Sequence, residues 1–118
     1  MAQAAGSANV AQIEFWNSPA ARAWAEQHER MDRALAPLMG ALLEHAAPQT
    51  GERVLDIGCG SGTTVLELAA RVGPDGHVLG ADISQTSVAR ARERIAAAGM
   101  RQAEVVCADV AADRKSVV

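Results

Sequence analysis

Residues Val54 to Gly62 read V-L-D-I-G-C-G-S-G, an apolar run interrupted by an acid and closed by three alternating glycines. Glycine lets the backbone reverse sharply and lets a ligand lie directly against it. Immediately after, Thr63 to Val72 sets Val65, Leu68, Ala69 and Val72 at helical spacing, the mark of one buried helix face. A strand, a glycine loop and a helix in that order open the kind of α/β unit that seats a nucleotide-like ligand.

Two further acids extend the pattern. Asp82 ends the run Val78-Leu79-Gly80-Ala81, and Asp109 follows Val105-Val106-Cys107-Ala108. Asp56, Asp82 and Asp109 stand 26 and then 27 residues apart, room for one strand, one helix and two turns. In an open parallel sheet ligands bind at the carboxyl ends of the strands, so the three carboxylates are expected along one edge, beside the glycine loop.

A bare phosphate is a poor match for three carboxylates, because like charges repel and buried unpaired anions are costly. The G-x-x-x-x-G-K-[ST] loop, whose lysine would offset that charge, is missing. The dinucleotide fingerprint G-x-G-x-x-G fits imperfectly, since the third glycine, Gly62, comes one residue early and Asp56 stands just ahead of the loop. A ligand with cationic and donor groups fits better. S-adenosylmethionine carries an ammonium, a sulfonium, two ribose hydroxyls and an adenine amino group.

At these residues the chain resembles the first half of a class I S-adenosylmethionine-dependent methyltransferase. VLDIGCGSGTTVLELA (Val54 to Ala69) is similar to that family's glycine-rich first motif, GADIS (Gly80 to Ser84) to its second-strand motif and CADVA (Cys107 to Ala111) to its third. The resemblance implies that Asp56 holds the methionine amino group, directly or through water, and that the backbone at Gly58, Cys59, Gly60 and Gly62 lines the methionine part. It implies that Asp82 accepts both ribose hydroxyls and Ile83 packs on adenine. Asp109 would accept from the adenine amino group, with the Val110 backbone beside it. It also implies an enzyme that moves a methyl group by in-line displacement to a small-molecule acceptor, working by positioning and desolvation. The segment FWNSPAARAW loosely resembles small-molecule methyltransferases, including those of quinone biosynthesis.

Other roles for the same residues are plainer. The glycines can simply make a turn, and Asp82 or Asp109 can cap a helix, although Ser84 suits the cap after Asp82 better. Two other functions stay in play: an NAD-binding Rossmann oxidoreductase fragment, favoured by Asp82 lying 20 residues past Gly62, and a non-catalytic module that binds S-adenosylmethionine or packs on a partner. Cys59 and Cys107 read as small buried fillers, and no metal site is expected because no CxxC or histidine cluster accompanies them.

Length and composition bound the rest. The chain has 118 residues, a net charge of −3 and two cysteines. That is enough for one small core, with no basic surface for nucleic acid. Arginine outnumbers lysine ten to one, which reads as coding bias. Neither a secretory signal nor a membrane-spanning run is visible, so a cytoplasmic protein is expected.

The expected organisation is a disordered stretch over 1–13, an N-terminal helical segment over 14–48, a ligand-binding Rossmann-like half-domain over 51–112 and a non-native tail over 113–118. In the helical segment, Ser18 and Pro19 start a helix that runs to about Arg30. A second helix gathers Leu35, Leu38, Met39, Leu42 and Leu43 on one face, with Pro37 in its first turn or kinking it. Trp16, Trp24 and His28 are either acceptor-pocket lining or, preferably, packing residues and a solvated imidazole. Gln85 to Ala98 is a helix with Val88, Ala91 and Ile95 inward, Arg90, Glu93 and Arg94 outward, and Gly99 as its left-handed cap.

The fold class expected is α/β, a Rossmann-like parallel sheet with flanking helices, incomplete, with three strands in the order 3-2-1. The resembled fold has seven strands, so the first strand is expected to show an uncovered edge through Val54, Leu55 and Ile57. Asp113 to Val118 also matches one reading frame of a common sequencing adapter, GATCGGAAGAGCGTCGTG, so native sequence is expected to end near Ala112.

Overall fold

The computed structural model describes residues 9–112, so the tail expected over 113–118 lies outside the described residues. Three helices lead: α1 (Val10–Trp16), α2 (Pro19–Glu26) and the longer α3 (His28–Ala46). There follow β1 (Arg53–Ile57), α4 (Thr63–Val72), β2 (His77–Asp82), α5 (Gln85–Ala98) and β3 (Ala103–Cys107). The strands form one parallel sheet in the order β1-β2-β3, with Asp56 opposite Gly80 and Asp82 opposite Cys107. This is the incomplete Rossmann-like arrangement expected.

The core lies between α4, α5 and one face of the sheet. Val65, Leu68, Ala69 and Val72 of α4 are all buried, as are Val88, Ala91 and Ile95 of α5, against Val78 and Val105. Each helix stripe falls where the 3.6-residue spacing puts it. The caps follow the sequence too. Ser18 and Ser84 accept from the backbone amides of Ala21 and Ser87, and Gly99 ends α5 with φ at 65°. Gly80 marks a close-packed point of the core. A Cβ there would lie 2.7 Å from Val65 and 2.9 Å from both Cys59 and Val105.

The N-terminal segment departs from expectation in four ways. Helix begins at Val10, inside the stretch read as disordered, because its ends are tied to the sheet: Asn9 Nδ2 donates to Asp109 (2.8 Å) and Asn17 Nδ2 to the Ile83 carbonyl (2.9 Å). The break between the next two helices falls at Gln27, not near Arg30. Pro37 sits well inside α3, not in its first turn, and its ring removes one helical hydrogen bond there. Of the five residues expected on one face, Leu43 is buried and Met39 packs on the core, but Leu35, Leu38 and Leu42 are exposed.

α4 and α5 share one face of the sheet, and the opposite face is largely open. Leu55 and Ile57 are 43% and 61% exposed, in keeping with the uncovered edge expected there, while Val54 is half-buried against the core. Parallel sheets are normally covered on both faces, so this surface is prone to self-association. Replacing Leu55→Lys is expected to lower self-association in light scattering while shifting stability by less than about 1 kcal/mol. In contrast, Gly80→Ala is expected to destabilise by about 1–3 kcal/mol through overpacking, read as a lower urea midpoint.

Candidate cofactor cleft

A cleft of about 420 Å³ opens at the carboxyl ends of the strands, where the parallel topology places it. Its floor is Ile57 at the end of β1 with Gly58 and Gly60 after it, Ala81, Asp82 and Ile83 at the end of β2, and Ala108, Asp109 and Val110 after β3. Trp16 and Trp24, whose rings pair edge to face at 6.3 Å, complete the wall. The lining is mostly apolar with two carboxylates, a composition suited to an adenosine-sized ligand.

The glycine loop turns left three times, with φ at 74° for Gly58, 55° for Gly60 and 89° for Gly62. Its first amides fold back on β2: Gly58 N and Cys59 N both donate to the Ala81 carbonyl, at 2.7 and 3.1 Å. Gly62 is required twice, by its φ and by Ala91, whose Cβ would lie 2.9 Å from a Cβ at this position. Gly62 lies outside the cleft lining, and its place is the close approach of α4 to α5. Cys59 is buried and lines a smaller cavity that shares Trp24, Gly58 and Gly60 with the cleft.

Asp82 is more heavily engaged than a ligand contact alone requires. Its Oδ2 accepts from Gly60 N at 2.8 Å and its Oδ1 from Ser84 N at 2.9 Å. Each oxygen keeps a further lone pair, and the residue lines the cleft. Asp109 is similarly braced, Oδ1 accepting from Ala111 N at 3.0 Å and Oδ2 from Asn9. Ile83 is held from outside, since Asn17 takes its carbonyl and also accepts from Gln85 N at 2.8 Å.

Asp56 differs from both. It lies beneath the loop, outside the cleft lining, and its Oδ2 is buried with no hydrogen-bond partner among the described residues. Burial pushes its carboxyl from the ordinary 3.8 up to about 6, and the nearby Asp82 anion adds to the rise. A buried, unpaired carboxylate is costly unless a donor or cation reaches it. The same burial, with Asp82 and Asp56 alongside, pushes the Cys59 thiol up to about 12, so this cysteine stays protonated and is no nucleophile.

Several residues engaged here were given no site role in the sequence reading. Asn9 and Asn17 brace the cleft from the two ends of α1, and nothing in their local pattern marks them. Arg94, expected outward, turns inward to the glycine loop. Cys107, expected as buried filler, is exposed at the end of β3. Trp16 and Trp24 both line the cleft, whereas His28 lines the smaller cavity, its Nδ1 3.3 Å from the Ala25 carbonyl.

Comparison with known proteins agrees with this geometry. The family model described as a methyltransferase domain matches residues 54–115, more than half of the chain. The chain belongs to the methyltransferase-domain family. It is 38% identical over 73 residues to aklanonic acid methyltransferase DauC from Streptomyces sp. (strain C5), covering 62% of this chain and 33% of that protein. Among solved structures it resembles coclaurine N-methyltransferase bound to N-methylheliamine and SAH, with a TM-score of 0.60, 28% identity and coverage of 68% and 23%. A protein-L-isoaspartate O-methyltransferase gives a TM-score of 0.58 at 29% identity, covering 62% and 23%. The chain thus spans a third or less of the length of these relatives. Neither the NAD-linked oxidoreductase nor the non-catalytic module is favoured by these matches.

The raised Asp56 carboxyl has a defined consequence. Between about pH 4 and 6 the folded chain keeps a proton that the unfolded chain has released, so stability falls as pH rises through that window. Asp56→Asn is expected to flatten this segment of a thermal-stability-against-pH profile.

Proposed function

We propose that this chain is the S-adenosylmethionine-binding part of a methyltransferase that acts on a small-molecule acceptor. The observation that carries the reading is the buried, unpartnered Asp56 oxygen beneath the glycine loop. An alkylammonium such as the cofactor's methionine amino group supplies the cation and donors this oxygen lacks. The backbone at Gly58, Cys59 and Gly60 would follow the methionine chain, with Gly62 setting the loop's exit. The free lone pairs of Asp82 would take the ribose hydroxyls, Ile83 would pack on adenine, and Asp109 with the Val110 backbone would meet the adenine edge.

When bound, the cofactor supplies a methyl group on a sulfonium, ready for a nucleophilic acceptor. The chain's own residues bind, orient and exclude water, and none of the three aspartates is needed as a proton carrier. In this reading residues 51–112 are the cofactor-binding half-domain and the helical segment 14–48 roofs it, with Trp16 and Trp24 shielding the cleft. Support for a small acceptor comes from DauC and the coclaurine enzyme, each named for a small molecule. The free thiols of Cys59 and Cys107 fit a reducing, cytoplasmic setting.

The test is isothermal titration calorimetry with S-adenosylhomocysteine, which keeps the ammonium, ribose and adenine. The wild-type chain is expected to bind it more tightly as pH rises through about 6 and Asp56 ionises. Asp82→Asn is expected to weaken binding roughly 10- to 100-fold, the loss of a charged acceptor. Preference for NAD over S-adenosylhomocysteine would overturn the assignment.

A further inference from the structure

A polar cluster beside the glycine loop is not used by the cofactor reading. Arg94 of α5 donates through Nη1 to the Ser61 carbonyl and to Thr63 Oγ1, both at 2.8 Å, and through Nη2 to Asp32 Oδ2 of α3 at 3.2 Å. Thr63 Oγ1 in turn donates to Asp32 Oδ1 at 2.6 Å. The Arg94 and Asp32 side chains are only 21% and 32% exposed, so solvent screens this pair less than a surface pair.

The loop needs such a hold. Glycines lose more conformational freedom on ordering than other residues, and three of them here take left-handed backbone angles. The start of α4 offers no help, because its N-cap is Gly62 and no side chain caps it. Two adjacent residues are instead fixed by two different elements: Gly60 by its N–H on Asp82 of β2, Ser61 by its carbonyl on Arg94 of α5. A planar guanidinium can reach the loop, α4 and α3 at once.

We infer that Arg94, with Asp32 and Thr63, is a positioning clamp that presets the glycine loop for its ligand and couples that shape to the docking of α3. The ligand's identity rests on the cofactor reading above; the clamp itself is readable in the ligand-free chain.

The experiment is amide hydrogen exchange on the whole chain, joined to calorimetry with S-adenosylhomocysteine. In Arg94→Gln, exchange at Gly60 and Gly62 is expected to quicken roughly tenfold or more while Val78, inside the sheet, stays within about twofold. Affinity is expected to fall about tenfold, and adding Asp32→Asn to weaken it by less than about twofold further, since residues acting as one unit are not additive. Unchanged exchange at Gly60 and Gly62 overturns the clamp, as do independent, multiplying effects of the two substitutions. If Arg94→Gln loosens Val78 equally, the milder Asp32→Asn is read the same way, and uniform loosening in both variants also overturns it. A wild-type chain that ignores S-adenosylhomocysteine defeats the cofactor reading, leaving exchange to decide the clamp.

Discussion

The carboxylate of Asp82 joins the end of β2 to the glycine loop, and the cleft takes its shape from that junction. One oxygen fixes Gly60 and the other turns the chain at Ser84 into α5. Because hydrogen bonds to an ionised acceptor are among the stronger ones, a single side chain sets both the loop and the helix start. The rest of the site is arranged about it. Ala81 receives the loop's first amides, and Asp56 is held close enough to feel the second negative charge.

The packing on one side of the sheet makes this junction possible. Gly62 against Ala91 and Gly80 against Val65, Cys59 and Val105 are approaches that a Cβ would block. They draw α4 and α5 onto the strands. The other side of the sheet contributes almost nothing to that hold, and its leucine and isoleucine face outward. The N-terminal helices reach the site through polar side chains, Asn9, Asn17 and Asp32, and through the indoles of Trp16 and Trp24.

Much of this was legible in the sequence, for physical reasons that differ from part to part. Period fixes the buried stripes of α4 and α5, because one helix face must meet the sheet. The even spacing of Asp56, Asp82 and Asp109 anticipates a shared sheet edge, since each ends a strand of one parallel set. Local pattern says less about residues whose partners lie far along the chain. Arg94 looks like an exposed helix arginine until Ser61 and Asp32 are brought to it, and Asn9 has no marked role until Asp109 is in place 100 residues later. The boundary at Gln27 falls among exposed residues and carries no side-chain cap, so no local pattern marks it. The sequence also groups the three acids as equals, whereas folding gives Asp82 and Asp109 braces and leaves one oxygen of Asp56 with none among the described residues.

Trp16 and Trp24 have an optical consequence. They are the chain's two tryptophans, and it has no tyrosine. Both indoles border the same cleft. Ultraviolet-excited emission from this protein therefore originates at that one place, and its colour and intensity act as a built-in gauge of whatever enters or leaves.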